Sequence, residues 1–380
     1  MTIAELARRL LFRLRGRVLQ LRPSGTPRGR VLLSYVTLPF FDRSERTLNT
    51  HSNRWESLEM TKAFLEKGYA VDVIDISNTS FVPQHTYTYF IDNYHHLERL
   101  APLLGPACIK IFHATTAHWK FNNEAEAARF DDLYARRGVH LSPDRIMPPN
   151  KAIELCDIAT LLGNDFTEST YAFAGKPMMR IPVSTTHTFP SPAQKEFGNA
   201  RKNFIWFGGA GVIHKGLDLV VEAFAQLSDL QLTICGKIDG EKDFLQLYAR
   251  ELSLPNITIA GFMDPGSELF KKVCDRSIAL IYPSCSEGQA GSVVLTMHAG
   301  LIPIISRESG VDTADAGFTL KENTIAEIMR TVKDVSFLPE EGLRERGVAA
   351  WRYAQEYHTR GKFSQSYRQF IDMLEAKYPV

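Results

Sequence analysis

From residue 203 onward, short apolar runs alternate strictly with helical segments, and this alternation constrains the fold more than any other feature of the sequence. Each apolar run has the length and composition of a buried strand. Strands that alternate with helices pair in parallel, because each helix carries the chain back across the sheet. The sequence therefore predicts a parallel α/β domain over residues 203–360. Its strands are NFIWFGG, LQLTICG, NITIAGF, SIALIYP and LIPIIS.

The amino half repeats this pattern less regularly and predicts a second α/β domain over residues 29–184. GRVLLSYV and GYAVDVIDI are its first two strands. A segment without apolar periodicity and with two prolines, residues 185–202, separates the two halves and is interpreted as the linker. Two domains also suit a chain of 380 residues, which exceeds the usual size of a single core. We expect residues 361–380 to form a helix that crosses back to the first domain.

Bulk composition excludes several classes of protein. Hydrophobic residues make up 44% of the chain and charged residues 23%, as is ordinary for a globular protein, and the net charge of +1 gives no nucleic-acid footprint. The five cysteines are scattered without metal spacing, so we expect reduced, mostly buried thiols in a cytoplasmic protein. No apolar run reaches the roughly 18–20 residues of a membrane span.

Residues 1–30 contain eight arginines and a single acidic residue, Glu5. Within them, apolar residues from Ile3 to Leu21 recur at helical spacing, which predicts a basic amphipathic arm over residues 1–28. We expect residues 1–22 to dock on an anionic membrane surface, which would make the protein peripheral on the inner face of the membrane. A helix packed on the domain and a disordered arm are the alternatives. The segment also resembles a transit peptide but has no evident cleavage site.

Two strand-to-helix turns in the second half contain residues suited to ligand binding. WFGGAGVIHKG holds three glycines and Lys215, and SEGQAG holds Glu287 among small residues. Such turns lie at the carboxyl edge of a parallel sheet, where helix amides and a lysine can bind phosphate and a carboxylate can hold hydroxyl groups. A sugar phosphate or a nucleotide sugar is the indicated ligand. The first turn is neither a P-loop nor a G-x-G-x-x-G motif.

Residues 203–320, which include HKGLDLVVEAFAQL and IALIYPSCSEGQAGSVVLTMHAGLIPIIS, resemble the donor domain of family 4 (group 1) retaining glycosyltransferases. The amino half is similar only more weakly, in LCDIATLLGNDFTESTYAF. The resemblance implies the GT-B fold, in which two Rossmann-like parallel-sheet domains face a central cleft and the carboxyl-terminal helices return toward the first domain. It implies transfer of a sugar from a nucleotide-sugar donor to a hydroxyl of a cell-envelope glycan or lipid-linked acceptor.

The same resemblance assigns roles to individual residues. Glu287 would lie near the hydroxyls of the donor sugar, Lys215 would bind the diphosphate, and His113 would approach the reacting carbon. His118 is the second histidine candidate at the same strand end and is expected on the acceptor side. Arg43 and Arg46 are placed by position and not by the resemblance: their loop follows the first strand and should face the cleft, where they could contact the acceptor or a phosphate. No cofactor and no metal ion is expected, since there is no Asp-x-Asp motif and no ligand cluster. The complete set of donor-binding candidates is Gly208, Gly209, His214, Lys215, Phe262, Pro283, Ser284, Glu287, Gly288, Gly291 and Ser292.

Two departures from the family pattern leave alternatives open. The family's ribose-binding glutamate is replaced by Leu295, and the arginine of its glycine-rich turn is replaced by Gly209 or Ala210. His214 is a candidate to take over part of the arginine's role. A non-catalytic sugar- or nucleotide-binding subunit and a sugar-nucleotide epimerase on the same fold are the alternatives to a transferase.

Overall fold

The computed structural model describes residues 17–379, which form two open sheets with helices packed on both faces. The strands are β1 (Val18–Leu21), β2 (Gly29–Tyr35), β3 (Tyr69–Asp75), β4 (Tyr89–Asp92), β5 (Ile109–Ala114), β6 (Ile158–Leu161), β7 (Met178–Arg180), β8 (Asn203–Gly208), β9 (Gln231–Gly236), β10 (Ile257–Gly261), β11 (Ala279–Tyr282), β12 (Ile302–Ser306) and β13 (Phe318–Leu320). The helices are α1 (Glu45–Thr50), α2 (Ser52–Glu66), α3 (Leu97–Leu100), α4 (Trp119–Arg137), α5 (Ala152–Leu155), α6 (Asp165–Ser169), α7 (Phe197–Ala200), α8 (Leu217–Phe224), α9 (Lys242–Leu247), α10 (Ala249–Leu252), α11 (Glu268–Arg276), α12 (Gly291–His298), α13 (Ile325–Phe337), α14 (Glu340–Tyr357) and α15 (Arg360–Lys377).

The first sheet has the order β1-β3-β2-β4-β5-β6-β7, and all its strands are parallel except β1. The helix predicted from Ile3 to Leu21 is wrong over Val18–Leu21, which pair antiparallel with β3. Val18 and Leu19 are both buried but belong to different core clusters, as successive side chains of a strand do. The other residues of the predicted arm up to residue 16 lie outside the described residues.

The second sheet has the order β10-β9-β8-β11-β12-β13 and is parallel throughout. Numbered from β8, this is the order 3-2-1-4-5-6 of a dinucleotide-binding sheet, in which ligands bind where the strand order reverses. The reversal falls between β8 and β11. The glycine-rich turn (residues 209–216) follows β8, and the turn that contains Glu287 (residues 283–290) follows β11. The fold thus brings both predicted ligand-binding turns to one edge of the sheet.

The carboxyl-terminal helices connect the two domains. Helix α14 packs on α12, and α15 then packs on α2 of the first domain. Arg368 on α15 forms ion pairs with Glu59 and Glu66 on α2, with nitrogen–oxygen distances of 2.7 and 2.6 Å. The predicted return of the last helix to the first domain is confirmed.

Helix α4 of the first domain also lies on the second domain, beside the two turns. Arg129 donates hydrogen bonds to the carbonyl oxygens of Pro283 and Ile213, at 3.0 and 3.3 Å. Arg136 forms an ion pair with Asp218 on α8, at 2.6 Å. Both turns are therefore held against a polar face of α4.

The described residues include all five cysteines and every helix that could be compared with a membrane span. All five cysteines are unpaired and buried, as predicted. In residues 17–379, no helix combines the length and apolarity that crossing a bilayer requires.

Candidate active site

Lys215 and Glu287 meet at the reversal point of the second sheet. The Lys215 ammonium donates to Oε1 of Glu287 at 3.0 Å, and the Tyr282 hydroxyl donates to the same oxygen at 2.9 Å. All three side chains are largely buried. The two residues that sequence reasoning placed on separate turns therefore form one polar cluster, and Tyr282, which it did not single out, is part of it.

The Glu287 carboxylate is ionised in this environment. Burial alone would raise its pKa, but the positive charges of Lys215 and then His214 outweigh burial and lower the pKa to about 2. Burial raises the pKa of the Tyr282 phenol, and the Glu287 carboxylate raises it further, so Tyr282 stays a hydrogen-bond donor. A fixed carboxylate of this kind accepts hydrogen bonds from hydroxyl groups and does not serve as a proton donor near neutral pH.

Two glycines allow the turns to approach each other. Gly216 has a φ of +73°, and a Cβ on it would lie 2.4 Å from the Pro283 carbonyl oxygen. Gly211 has a φ of +78° in the same turn. A side chain at either position would be strained and would collide with its neighbour, so only glycine suits both. The backbone of the turn thereby places Lys215 beside Glu287.

His214 faces the first domain. Its Nδ1 is hydrogen-bonded to Glu126 on α4, and its Nε2 is hydrogen-bonded to the Ser286 carbonyl oxygen. Burial lowers the pKa of His214, but its hydrogen bonds to Cys285 and Glu126 raise it more, to about 9. A doubly protonated imidazolium satisfies both acceptors. Both ring nitrogens are thus occupied, so in this arrangement His214 is not free to replace a phosphate-binding arginine.

The same cluster contains the potential metal ligands of the described residues. Oxygen, nitrogen and sulfur atoms of Glu126, His214 and Cys285 lie within 4.8 Å of one another. The Cys285 Sγ is 3.4 Å from His214 Nδ1. Both nitrogens of this histidine are already hydrogen-bonded, one to Glu126 within the group and the other to the Ser286 carbonyl oxygen outside it.

The turn after β11 also touches the first domain. The Ala117 amide donates to the Glu287 carbonyl oxygen at 3.1 Å. A Cβ on Gly288 would lie 2.3 Å from the Thr115 carbonyl oxygen, so this position requires glycine. Thr115 and Ala117 follow β5, which ends beside His113. The loop that follows His113 and β5 therefore borders the Glu287 turn.

Both predicted histidines of the first domain are buried. His113 is bonded through Nδ1 to the Thr160 hydroxyl at 2.7 Å, its Nε2 has no partner among the described residues, and burial lowers its pKa to about 4. His118 precedes α4 and packs against the rings of Trp119 and Tyr171. Burial lowers its pKa as well. Both are neutral at physiological pH and can act as hydrogen-bonding groups.

The remaining donor-side candidates are distributed along the same edge. Gly208 ends β8, and Gly209 follows it with open space where a side chain would lie. Gly291 and Ser292 begin α12, whose first turn has no side-chain cap. Pro283 and Ser284 are buried directly after β11, and the Ser284 hydroxyl donates to the His214 carbonyl oxygen at 3.3 Å.

Three candidates are not in contact with Lys215 or Glu287. Phe262 follows β10, and 71% of it is exposed. Arg43 and Arg46 are exposed on the segment that contains α1. Within residues 17–379, no hydrogen bond or ion pair joins any of the three side chains to the Lys215–Glu287 pair. Their roles remain predictions.

Leu295 is a core residue. Only 4% of it is exposed, and it belongs to the apolar cluster that contains Val293 and Met297. The position at which the resemblance implies a ribose-binding carboxylate is therefore occupied by a packed apolar side chain.

Sequence reasoning missed the charged residues that the first domain contributes. Glu126 and Arg129 lie on α4, and Arg145 lies on the loop after it. The helix was predicted, but nothing in its sequence indicates which face contacts the other domain. A cavity of about 530 Å³ between α4 and residues 321–326 includes neither Lys215 nor Glu287.

Comparison with known proteins supports this reading of the second domain. Residues 191–345 match the family model described as glycosyl transferases group 1. That match contains both turns and the whole of α12. No curated protein matches the chain. The assignment to family 4 within group 1 remains a prediction.

Solved structures establish the fold across both domains. Sucrose-phosphate synthase from Thermosynechococcus elongatus is similar with a TM-score of 0.64 at 14% identity, over 92% of this chain and 100% of that chain. The amino-terminal domain of Candida albicans trehalose-6-phosphate phosphatase gives 0.59 at 10% identity, over 95% and 100%. Anabaena HepE in complex with UDP and glucose gives 0.56 at 14% identity, over 92% and 99%. The fold is the predicted GT-B fold.

Proposed function

We propose that this protein is a glycosyltransferase that transfers a sugar from a nucleotide-sugar donor to an acceptor hydroxyl with retention of the anomeric configuration. The observation that carries the proposal is the 3.0 Å contact between Lys215 and Glu287 at the reversal point of a 3-2-1-4-5-6 sheet. At that point an ammonium group, which can bind a phosphate, lies beside a carboxylate, which can accept hydrogen bonds from sugar hydroxyls. The match of residues 191–345 to group 1 glycosyl transferases and the UDP and glucose bound by HepE support the same assignment.

The site residues would perform two chemical tasks, which are binding the diphosphate and holding the donor sugar. Lys215 and the uncapped amides at the start of α12 would hold the diphosphate, which carries the charge that develops as it leaves. Glu287 would hold the donor sugar, and neutral His113 would offer its unpartnered Nε2 from the opposite wall. The bond from the anomeric carbon to the phosphate oxygen breaks while the bond to the acceptor oxygen forms. The acceptor proton passes to the departing phosphate on the same face, so no protein base is required.

The acceptor side of the proposal rests on the sequence. The arginines of the amino-terminal segment favour an acceptor at an anionic membrane, such as a lipid-linked or cell-envelope glycan. Arg28 and Arg30 are not available for that purpose, because they form ion pairs with Glu375 and Asp72. Any membrane contact therefore depends on the arginines that precede them.

The proposal is tested by titrating the protein with UDP-, GDP- and ADP-sugars. An assay for donor hydrolysis and NMR of the product anomer then follow. We expect binding of one nucleotide class with slow hydrolysis in the absence of acceptor. Binding with no turnover under any condition would identify a binding subunit, and isomerisation of the donor would identify an epimerase. Inversion at the anomeric carbon would refute the retaining mechanism but not the transferase.

A further inference from the structure

Arg145 lies directly on the glycine-rich turn. A Cβ on Gly211 would lie 2.7 Å from both Cγ and Cδ of Arg145 and 3.5 Å from its Nε. The side chain is exposed, and its guanidinium makes no hydrogen bond or ion pair with any described residue. Arg145 therefore presents an uncompensated positive charge at the turn that carries Lys215.

The charges around the turn leave a diphosphate without sufficient compensation. Glu287 neutralises Lys215, and Glu126 neutralises the His214 imidazolium. The Gly211 amide donates to Glu241 at 2.9 Å, which adds another carboxylate near the turn. A diphosphate carries about two negative charges, whereas a helix amino terminus supplies only about half a positive charge. Among the charged groups named at this turn, Arg145 is the unpaired cation.

The position of Arg145 is fixed by its backbone. Its amide donates to Glu126 Oε1 at 2.8 Å, and its carbonyl oxygen accepts from Asn122 at 2.9 Å. The other carboxylate oxygen of Glu126 is bonded to His214, which belongs to the glycine-rich turn. One buried carboxylate thus holds both the segment that carries Arg145 and the turn on which its side chain lies. Such anchoring means that the backbone at Arg145 is already ordered before a ligand binds.

We propose that Arg145 of the first domain binds the diphosphate of the donor together with Lys215 and stabilises it as it leaves. This rests on the proposed function, since it assumes a nucleoside diphosphate in the site. A guanidinium can contact two phosphate oxygens at once, which the Lys215 ammonium cannot do in a fixed geometry. The diphosphate site is then complete only when the two domains are packed together.

The test compares nucleoside diphosphates with the matching monophosphates by titration calorimetry. UDP, GDP and ADP are first titrated into the wild-type protein, and the tightest binder and its monophosphate are then titrated into Arg145→Met. Methionine keeps an unbranched stem over Gly211 and removes the charge. We expect the diphosphate affinity to fall about 10- to 100-fold, the scale of a charge-assisted hydrogen bond, while the monophosphate affinity changes by less than about 3-fold. Arg145→Lys should recover part of the loss.

The control variant is Arg352→Met, because Arg352 is exposed on α14, which contributes no residue to the site. It should bind both nucleotides as the wild-type protein does, and all variants should melt at the same temperature. Equal loss of diphosphate and monophosphate affinity in Arg145→Met, or no loss, would overturn the role of Arg145 while leaving the transferase intact. Failure of the wild-type protein to bind any of the three diphosphates would overturn the proposed function, and the Arg145 proposal with it.

Discussion

The two walls of the cleft differ in where their charge comes from. The second-domain wall consists of glycine-rich turns in which Lys215 and Glu287 neutralise each other. The first-domain wall supplies Glu126, Arg129 and Arg145 from α4 and the loop that follows. The second domain carries the family match, whereas the first determines how much charge remains for a ligand. The two turns of the candidate site therefore belong to one domain, whereas part of the charge around them comes from the other.

The contact between the walls involves the two turns of the candidate site themselves. Arg129 donates to the Pro283 and Ile213 carbonyl oxygens, and Glu126 bonds His214, so α4 touches both turns at the reversal point. Parting the domains would expose a buried ion pair and several backbone carbonyls. The arrangement of the turns thus depends on the first domain and not on the second sheet alone.

The largest effect is expected from Glu287→Gln, which tests whether the carboxylate of the second-domain wall takes part in sugar transfer. The amide retains an acceptor for Tyr282 but loses the charge that fixes Lys215 and binds hydroxyl groups. We expect kcat/KM to fall by about 10²- to 10³-fold while nucleotide affinity stays within a few-fold. Steady-state kinetics and calorimetry measure the two quantities. Glu345→Gln, an exposed change on α14, is the control. Turnover at the wild-type rate would remove Glu287 from the mechanism.

Leu295→Glu tests whether the second domain keeps a ribose-binding position. Because Leu295 is buried among apolar residues, a carboxylate there would lose its hydration without a partner. We expect the free energy of unfolding, measured by urea denaturation, to fall by about 3 kcal/mol or more in Leu295→Glu. In the control Leu295→Met it should fall by less than about 1.5 kcal/mol. A variant that stays stable and binds nucleoside diphosphates more tightly would show that this position faces the ligand after all.

The sequence predicts the second domain well because its signals are local. Buried strands such as β8 and β11 are continuous apolar runs bounded by glycine or proline, and their order follows from the alternation with helices. Lys215 and Glu287 could be placed at the same edge because each follows a strand directly. Their direct contact required only that β8 and β11 be neighbours, which the doubly wound order provides.

The parts that sequence reasoning missed depend on contacts between distant segments. Glu126 and His214 are 88 residues apart, and no period in either segment indicates the partner. Val18–Leu21 form a strand because β3 offers an open edge, while their apolar spacing also fits a helix. In both cases a local pattern is compatible with several structures, and the tertiary partner decides between them.

The Glu126–His214 pair predicts how the contact between the walls responds to pH. The folded-state pKa of His214 is about 9, above its ordinary 6.5, so its stabilisation is complete below about pH 6.5 and is lost as pH rises through 9. We expect the free energy of unfolding to lose about 2–3 kcal/mol over that range, measured by urea denaturation at several pH values. His214→Gln should remove this slope, and His85→Gln, at an exposed position, should keep it.

Other groups titrate in the same range, so the comparison with His214→Gln is essential. Burial lowers the pKa of Lys195 to about 8, which makes its contribution to stability rise with pH and oppose that of His214. The difference between the wild-type protein and His214→Gln cancels that contribution. Equal slopes in the two proteins would show that the imidazolium does not join the domains.

The smallest effect on the folded protein is expected from deletion of residues 1–16, which asks whether the first domain also carries a membrane contact. The deletion ends before Val18, because Val18–Leu21 pair with β3 and their loss would open the sheet edge. It removes Arg8, Arg9, Arg13 and Arg15, each worth about 1 kcal/mol at an anionic surface and less at high salt. We therefore expect an unchanged melting temperature together with loss of co-sedimentation with phosphatidylserine-containing vesicles at low salt, whereas neutral vesicles bind neither protein. If the full-length protein ignores anionic vesicles at low salt, the arginines serve another purpose and the acceptor need not lie at a membrane.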